Sequence, residues 1–182
     1  MTTLLDIRNE VVRQIRAGIK DAKIEVAAHP GRFDEKELRR LMTKTPAIQT
    51  SFLFHHDGCG ADESYIDFAS WVLYRASNKD RLYDGGLDLV SRLVPVIRNI
   101  DADWAFAVEK IETENLFTGT LDNLNVTLWA VSWRLKIRGS AIDGDDAGII
   151  DDSELDYFDG ADATILVGNE SVGHITNVEV KK

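Results

Sequence analysis

The strongest chemical pattern in the sequence is a run of carboxylates near its C-terminal end. Between Asp143 and Glu154, acidic residues and glycine approach the spacing of a twelve-residue calcium-binding loop. Positions 1, 3, 9 and 12 of that loop correspond to four candidate calcium ligands: Asp143, Asp145, Asp151 and Glu154. Gly148 stands at the position of the sharp turn, and Ile150 at the apolar position.

Two features of the same segment argue against a calcium site. Ala147 stands at the fifth loop position, where its side chain offers no oxygen. The preceding residues, Leu135 to Arg138, have the pattern of a strand, whereas such loops follow a helix. From residue 143 to residue 162 there are nine Asp and Glu and no Lys or Arg. Such a block favours a solvated interaction surface, in which Asp151, Asp152 and Glu154 are candidate contacts. A calcium-dependent binding module is the alternative.

The second chemical candidate is the segment that contains His55, His56 and Cys59. Adjacent histidines on a strand point to opposite faces, which is poor geometry for binding one metal ion. No further ligand pair at zinc spacing follows, and the one cysteine cannot form an internal disulfide. An enzyme with an unrecognised site is a third possibility, but no pair of titratable groups at suitable spacing supports it. We expect no catalytic residues, no metal and no cofactor.

The elements that position these residues include two main helices and one short helix. The apolar face of the first helix is Leu4, Ile7, Val11, Ile15 and Ile19. That of the second is Leu82, Gly86, Leu89, Val90, Leu93 and Ile97, and Pro95 is expected to kink or end it. Asp34 and Glu37 have capping-box spacing and predict the short helix, which carries Leu38, Leu41 and Met42 on one face. Thr45-Pro46 ends this short helix.

Alternating apolar residues predict the strands. A short strand is expected at Lys23–Ala27, and a longer one has Ile48, Thr50, Phe52 and Phe54 on one face. Ser64–Ala76 is expected to pair with the longer strand as an antiparallel hairpin, and Trp104–Ile111 to follow with Trp104, Phe106 and Val108 on one side. Asn115–Gly119 reads as a loop. The last long strand, from Val126, carries a buried face of Trp129, Val131, Trp133, Leu135 and Ile137.

This order of elements predicts an α+β fold, an α/β sandwich. We expect one mixed, largely antiparallel sheet of about five strands packed with two main helices. Residues 1–138 form the domain, and residues 139–182 form an acidic extension. Two strand-like runs, Ala163–Val167 and His174–Val180, predict a terminal hairpin in that extension.

Two segments carry a resemblance to a known family. One is RFDEKELRRLMTKTPAIQTSFLF, from Arg32 to Phe54, and the other is ENLFTGTLDNLNVTLWAVSWRLKI, from Glu114 to Ile137. With the amphipathic first helix and the long second helix, they resemble the tail-terminator proteins encoded next to the tail sheath in Mu-like phages and prophages. The resemblance covers Leu4 to Arg138, and its motifs are structural rather than chemical.

The resemblance implies a structural virion protein with no enzymatic activity. Family members are expected to assemble as a homo-hexamer that caps the tail tube and tail sheath and offers a docking surface to the head–tail connector protein. The implied location is the tail and neck region of the virion, after assembly in the host cytoplasm. Phe117 in the second motif is a candidate interface residue, together with Asp151, Asp152 and Glu154.

The charge distribution limits the possible partners. The net charge is −10, of which residues 139–182 contribute −9, from 11 Asp and Glu against 2 Lys and Arg. Phosphates would be repelled by this extension, so we expect no direct recognition of nucleic-acid sequence. No apolar run is long enough to span a membrane, so no membrane partner is expected.

Overall fold

The chain divides into two compact units, Met1–Gly144 and Asp145–Lys182. The computed structural model describes residues 2–31, 35–60, 62–78, 81–121, 124–142, 163–167 and 170–175. The independent folding of residues 1–138 without residues 139–182 stays a prediction.

The first unit is an α+β sandwich, as the sequence predicts. Its elements are, in chain order, α1 (Leu4–Ile19), β1 (Glu25–Ala28), α2 (Glu35–Met42), β2 (Ala47–Asp57), β3 (Glu63–Arg75), α3 (Leu82–Arg98), β4 (Ala105–Leu121) and β5 (Leu124–Arg138). The five strands form one sheet in the order β1-β2-β3-β5-β4. The β1–β2 pair is parallel, and the other three pairs are antiparallel.

The main core lies between one face of the sheet and the two long helices. Thr3 begins α1 with a capping box: its side chain accepts a hydrogen bond from the Asp6 backbone, and the Asp6 carboxylate accepts one from the Thr3 backbone. The predicted stripe of α1 packs in this core, where Leu4 is partly buried and the other four members are buried: Ile7, Val11, Ile15 and Ile19. Phe68 of β3 stacks on Trp133 of β5 with ring centroids 4.6 Å apart.

The burial predicted for β5 is confirmed. Residues 126–129 are buried on both sides of the sheet, and from residue 130 buried and half-buried positions alternate. The buried positions are the predicted ones: Trp129, Val131, Trp133, Leu135 and Ile137. The alternation follows from the strand geometry, because successive side chains point to opposite faces.

The helix α3 runs past the proline that was expected to kink or end it. Pro95 lies inside the helix, which continues to Arg98. The Pro95 carbonyl accepts hydrogen bonds from the backbone N–H and the side-chain amide of Asn99, at 3.2 and 2.8 Å. Asn99 thus caps the C-terminal end of α3, because its donors satisfy a carbonyl group of the last helical turn.

The prediction of a loop at Asn115–Gly119 is wrong. These residues belong to β4, which pairs with β5 from Ala105 to Leu121. The loop-like composition is accommodated by a bulge between Asn115 and Phe117 and by hydrogen bonds from Asn115 Nδ2 to Thr118 Oγ1 and Thr127 Oγ1, at 3.0 and 3.1 Å. Pairing with the long strand β5 therefore overrides the weak local preference of these residues for a loop.

Two bulges correct the predicted faces of aromatic residues. In β2 the register shifts between Phe52 and Phe54, so Phe54 lies opposite Asp67 and not on the face of Phe52 and Phe68. Phe54 is 63% exposed. In β4 a shift between Ala105 and Ala107 leaves Phe106 50% exposed, whereas it was expected to share a face with Trp104 and Val108.

The second unit contains a two-stranded antiparallel sheet of β6 (Ala163–Val167) and β7 (Glu170–Ile175). The first strand agrees with the prediction. The second begins four residues before His174, where the sequence predicts its start. None of the described helices is long and apolar enough to cross a membrane.

Candidate interaction surface

The face of the sheet opposite α1 and α3 carries a cluster of charged and aromatic side chains. Among the described residues, α2 packs on this face at one end, where Leu41 contacts a small apolar cluster of Ala47, Leu73 and Leu128. At the other end the β5 side chains Arg134 and Lys136 alternate with buried Leu135, and both are half-buried. We define the open-face cluster as His56, Glu63, Tyr65, Asp67, Phe106, Arg134, Lys136 and Arg138.

Ion pairs across the strands hold the open-face cluster in place. Arg134 donates from Nε and Nη2 to the two carboxylate oxygens of Asp67, at 2.6 and 2.8 Å. His56 Nε2 lies 2.8 Å from the same carboxylate. Lys136 Nζ lies 2.5 Å from Glu63 Oε1. The two-point geometry of the Arg134–Asp67 pair fixes the guanidinium plane as well as its position.

The cations of β5 lie between aromatic rings of the neighbouring strands. Arg134 Cζ is 5.7 Å and Lys136 Nζ is 6.0 Å from the centre of the Tyr65 ring. Lys136 Nζ is also 5.8 Å, and Arg138 Cζ 5.3 Å, from the centre of the Phe106 ring. Contacts of this kind order long side chains that would otherwise lose conformational entropy on binding. The cluster therefore presents a preorganised surface that combines charge with apolar area.

Each pKa shift in the open-face cluster favours the charged form of its group. The hydrogen bond from Arg134 lowers the pKa of Asp67, and His56 adds to this effect while burial opposes it. Asp67 in turn raises the pKa of Arg134, and Glu63 raises the pKa of Lys136. A general acid or base works best with a pKa near the working pH, and these three shifts lead away from neutrality. The arrangement of the three groups thus suits binding.

A shallow depression of about 250 Å³ adjoins the cluster and is lined by residues of β2, β3, β4 and β5. Its lining combines Leu53 and Phe54 from the β2 bulge with Asp67, Lys110, Glu112 and Arg134. Lys110 has a φ of 51°, in the left-handed region that non-glycine residues seldom adopt, and belongs to a further bulge of β4. The surface here is uneven and offers both apolar and charged contacts.

A second polar arrangement, centred on the buried His29, anchors α2 to the sheet. His29 is 3% exposed, and its Nδ1 accepts a hydrogen bond from the Gly31 backbone at 3.1 Å. Since Nδ1 accepts, Nε2 carries the proton and donates to Glu37 Oε1 at 3.0 Å. Glu37 also accepts from Arg40, whose hydrogen bond is the largest cause lowering the pKa of Glu37 to about 2. These contacts position α2 against the end of β1, so their role is structural.

The predicted site residues fall into three groups. Phe117 is half-buried opposite Leu128 and packs on the apolar cluster under α2. His55 and His56 lie opposite Ile66 and Tyr65, so they point to different faces as expected, and Cys59 is exposed. Outside the described residues lie the calcium candidates and acidic interface candidates: Asp143, Asp145, Asp151, Asp152 and Glu154.

Sequence reasoning placed Arg134 and Lys136 on the polar face of β5 but missed their partners. Asp67 and Glu63 lie in β3, far from β5 in sequence, and no local spacing connects them. His29 was also missed, because a single histidine before a Pro-Gly turn has no distinctive pattern. Within the parts of the chain that the structure describes, no group of three or more His, Cys, Asp or Glu could hold a metal ion.

Comparison of the chain with protein-family models finds no matching family, and comparison with curated proteins finds no matching relative.

Proposed function

We propose that the protein is a tail terminator of a contractile phage tail or tail-like particle. In this role it forms a homo-hexameric ring on the last ring of the tail tube and tail sheath and offers a docking surface to the head–tail connector protein. The observation that carries the proposal is the resemblance of Leu4 to Arg138 to the Mu-like terminators in motifs and in the order of elements. The site of action is the tail and neck region of the virion, after assembly in the host cytoplasm.

The open-face cluster supports a binding role. Closure of a ring requires two different surfaces on each subunit, since head-to-tail contacts join one face to another. Tyr65, Phe106 and Arg134 belong to residue types that are enriched in interfaces. Their fixed ion pairs and ring contacts reduce the ordering cost of association. The function proposed is therefore assembly, without a chemical step.

Deletion of the gene tests this proposal. We expect particles with tails of irregular length and without attached heads, because nothing would stop tube and sheath growth or bind the connector. Electron microscopy and tail-length measurement give the readout. The deletion is then complemented with the wild-type chain, with Phe106→Asp, or with the control Leu5→Asp on the exposed side of α1. If the wild type and Leu5→Asp restore normal tails but Phe106→Asp does not, the defect is connected to the open-face cluster. Normal, head-joined tails in the deletion would overturn the proposal.

The calcium-dependent alternative has its own test in the purified protein. A ligand that binds the native state raises the melting temperature, and Glu154 is the expected bidentate ligand. We expect millimolar calcium to leave the melting temperature unchanged. A saturable rise that disappears in Glu154→Gln would instead favour a calcium-binding module, which rests on the spacing of Asp143, Asp145, Asp151 and Glu154.

A further inference from the structure

The two edges of the five-stranded sheet differ in what they offer to a partner. β1 is four residues long, and Arg16 of α1 donates to its Val26 carbonyl from Nε and Nη2, at 3.1 and 2.6 Å. β4 is 17 residues long and is the last strand at the other edge. Among the described residues of the first unit, β5 is the strand that pairs with β4, so the outer backbone groups of β4 are open to a further strand.

Two exposed carboxylates stand on this edge. Glu112 and Glu114 are exposed, lie two residues apart and so share one face of the strand. Their neighbours across the sheet are Ser132 and Ala130, and neither glutamate forms an ion pair with any residue that the structure describes. Glu63 and Asp67, by contrast, are paired with basic side chains of β5. Among the described residues, the carboxylates of Glu112 and Glu114 are therefore not neutralised by an ion pair, although Lys110 lies on the same strand.

We propose that the β4 edge binds, by strand addition, an extended segment of another protein that carries Lys or Arg at every second position. Between the bulges of β4, residues 112–115 pair regularly with β5 and can serve as a template for an added strand. Alternate side chains of an added strand repeat at the same interval as Glu112 and Glu114. Cross-strand neighbours are roughly 5 Å apart, so basic residues at that interval would lie opposite the two carboxylates.

A second copy of this chain is a poor occupant of the same edge. Antiparallel pairing of two β4 strands around Thr113 would bring Glu112 of each copy opposite Glu114 of the other, and like charges directly opposite destabilise a sheet. The net charge of −10 adds to this repulsion. A basic strand from a different protein satisfies both the backbone groups and the carboxylates.

Strand addition at β4 deepens the binding role proposed above by giving the chemistry of one partner. The two proposals are tested by different experiments. Tail length in the gene deletion tests the terminator role, and peptide binding to the purified chain tests strand addition at β4.

A short blocked peptide, in which lysine alternates with valine and threonine, is the probe. We expect it to bind the full chain at low salt, shift the backbone amide resonances of residues 112–115 and protect some of these amides from hydrogen exchange. The same peptide with backbone N-methyl groups on its pairing edge should not bind, because strand addition needs its N–H donors. Replacement of its lysines by glutamates should also abolish binding.

Charge-neutral variants of the protein give the second part of the test. Glu112→Gln/Glu114→Gln should weaken binding by about tenfold. Asp84→Asn/Asp88→Asn removes the same charge from the exposed side of α3 and should have no such effect. Equal binding of the N-methylated peptide, equal binding by the Glu112/Glu114 variant, or no binding at all would overturn the proposal. The edge charges would then serve only to prevent aggregation.

Discussion

The Asp67 carboxylate is the centre of the open-face cluster at the scale of single residues. It accepts two hydrogen bonds from Arg134 and contacts His56, and its side chain is 22% exposed. The pair is partly shielded from water, so it contributes more than a fully exposed ion pair. Its contribution depends on pH, because the pKa of Asp67 in the folded protein lies below its ordinary value of 3.8.

Asp67→Asn should lower the free energy of unfolding at pH 7 by about 1 kcal/mol. The unfolded state binds a proton more readily than the folded state, so the carboxylate stabilises the fold above about pH 4. That stabilisation is lost as the pH falls through the lowered pKa of Asp67. Urea denaturation at several pH values should therefore show that the difference between wild type and Asp67→Asn shrinks in acid.

Asp57→Asn is the matched control for this prediction. Asp57 lies at the exposed end of β2, opposite Ser64. Its replacement should change the unfolding free energy by no more than about 0.5 kcal/mol at any of these pH values. A difference for Asp67→Asn that stayed constant from neutral to acid pH would contradict the assigned role of the carboxylate.

At the scale of elements, the contact of α3 with β5 fixes the helix layer on the sheet. Gly86 is buried in this contact, and a Cβ atom added there would lie 2.5 Å from Thr127 Cγ2 and 2.7 Å from Trp129 Nε1. Both neighbouring side chains are buried, so neither can move aside cheaply. Glycine is therefore required here for close approach, despite its cost in helix propensity.

Gly86→Ala should lower the free energy of unfolding by about 1–2 kcal/mol, because overpacking outweighs the gain in helix propensity. Asp88→Ala, on the exposed side of the same helix, gains propensity without a clash and should be neutral or slightly stabilising. Chemical denaturation of both variants gives the comparison. Stabilisation by Gly86→Ala similar to that of Asp88→Ala would show that α3 does not pack this closely.

At the scale of the whole molecule, residues 139–142, which follow β5, still pack on the first unit. The Gly139 backbone donates to the Asp62 carbonyl at 3.1 Å, and the Ser140 backbone donates to the Asp62 carboxylate at 2.7 Å. Ile142 is half-buried against the main core. These contacts hold the chain after Arg138, so the first compact unit extends to Gly144.

Truncation after Gly144 should leave a soluble protein that unfolds cooperatively. Truncation after Arg138, the boundary predicted from sequence, should also fold, but with a melting temperature lower by about 2–4 °C because the Asp62 and Ile142 contacts are lost. Thermal melts followed by circular dichroism provide the measurement. An insoluble or molten product of the longer truncation would mean that the first unit needs residues beyond 144.

The sequence by itself determined the elements whose burial follows a local period. The stripe of α1, the buried face of β5 and the α+β class are visible from residues a few positions apart, because helix and strand geometry place those residues on one face. For the candidate surface, the same reasoning placed Arg134 and Lys136 on a polar face. Their ion-pair partners Asp67 and Glu63 could not be identified from local periodicity, because these residues lie in a different strand.

The sequence predicted the antiparallel β2–β3 hairpin, but tertiary structure alone decided which other strands meet and the register of every pair. Arg134 reaches Asp67 across 67 positions of sequence, and no pattern within either strand encodes that pairing. The bulges that expose Phe54 and Phe106, and the extension of β4 through Asn115–Gly119, arise from hydrogen bonding to neighbouring strands. Strand register depends on the sum of many such distant contacts, and a single shift moves a side chain to the other face. The open-face cluster is therefore a product of strand pairing, although Arg134 and Lys136 follow a local pattern within β5.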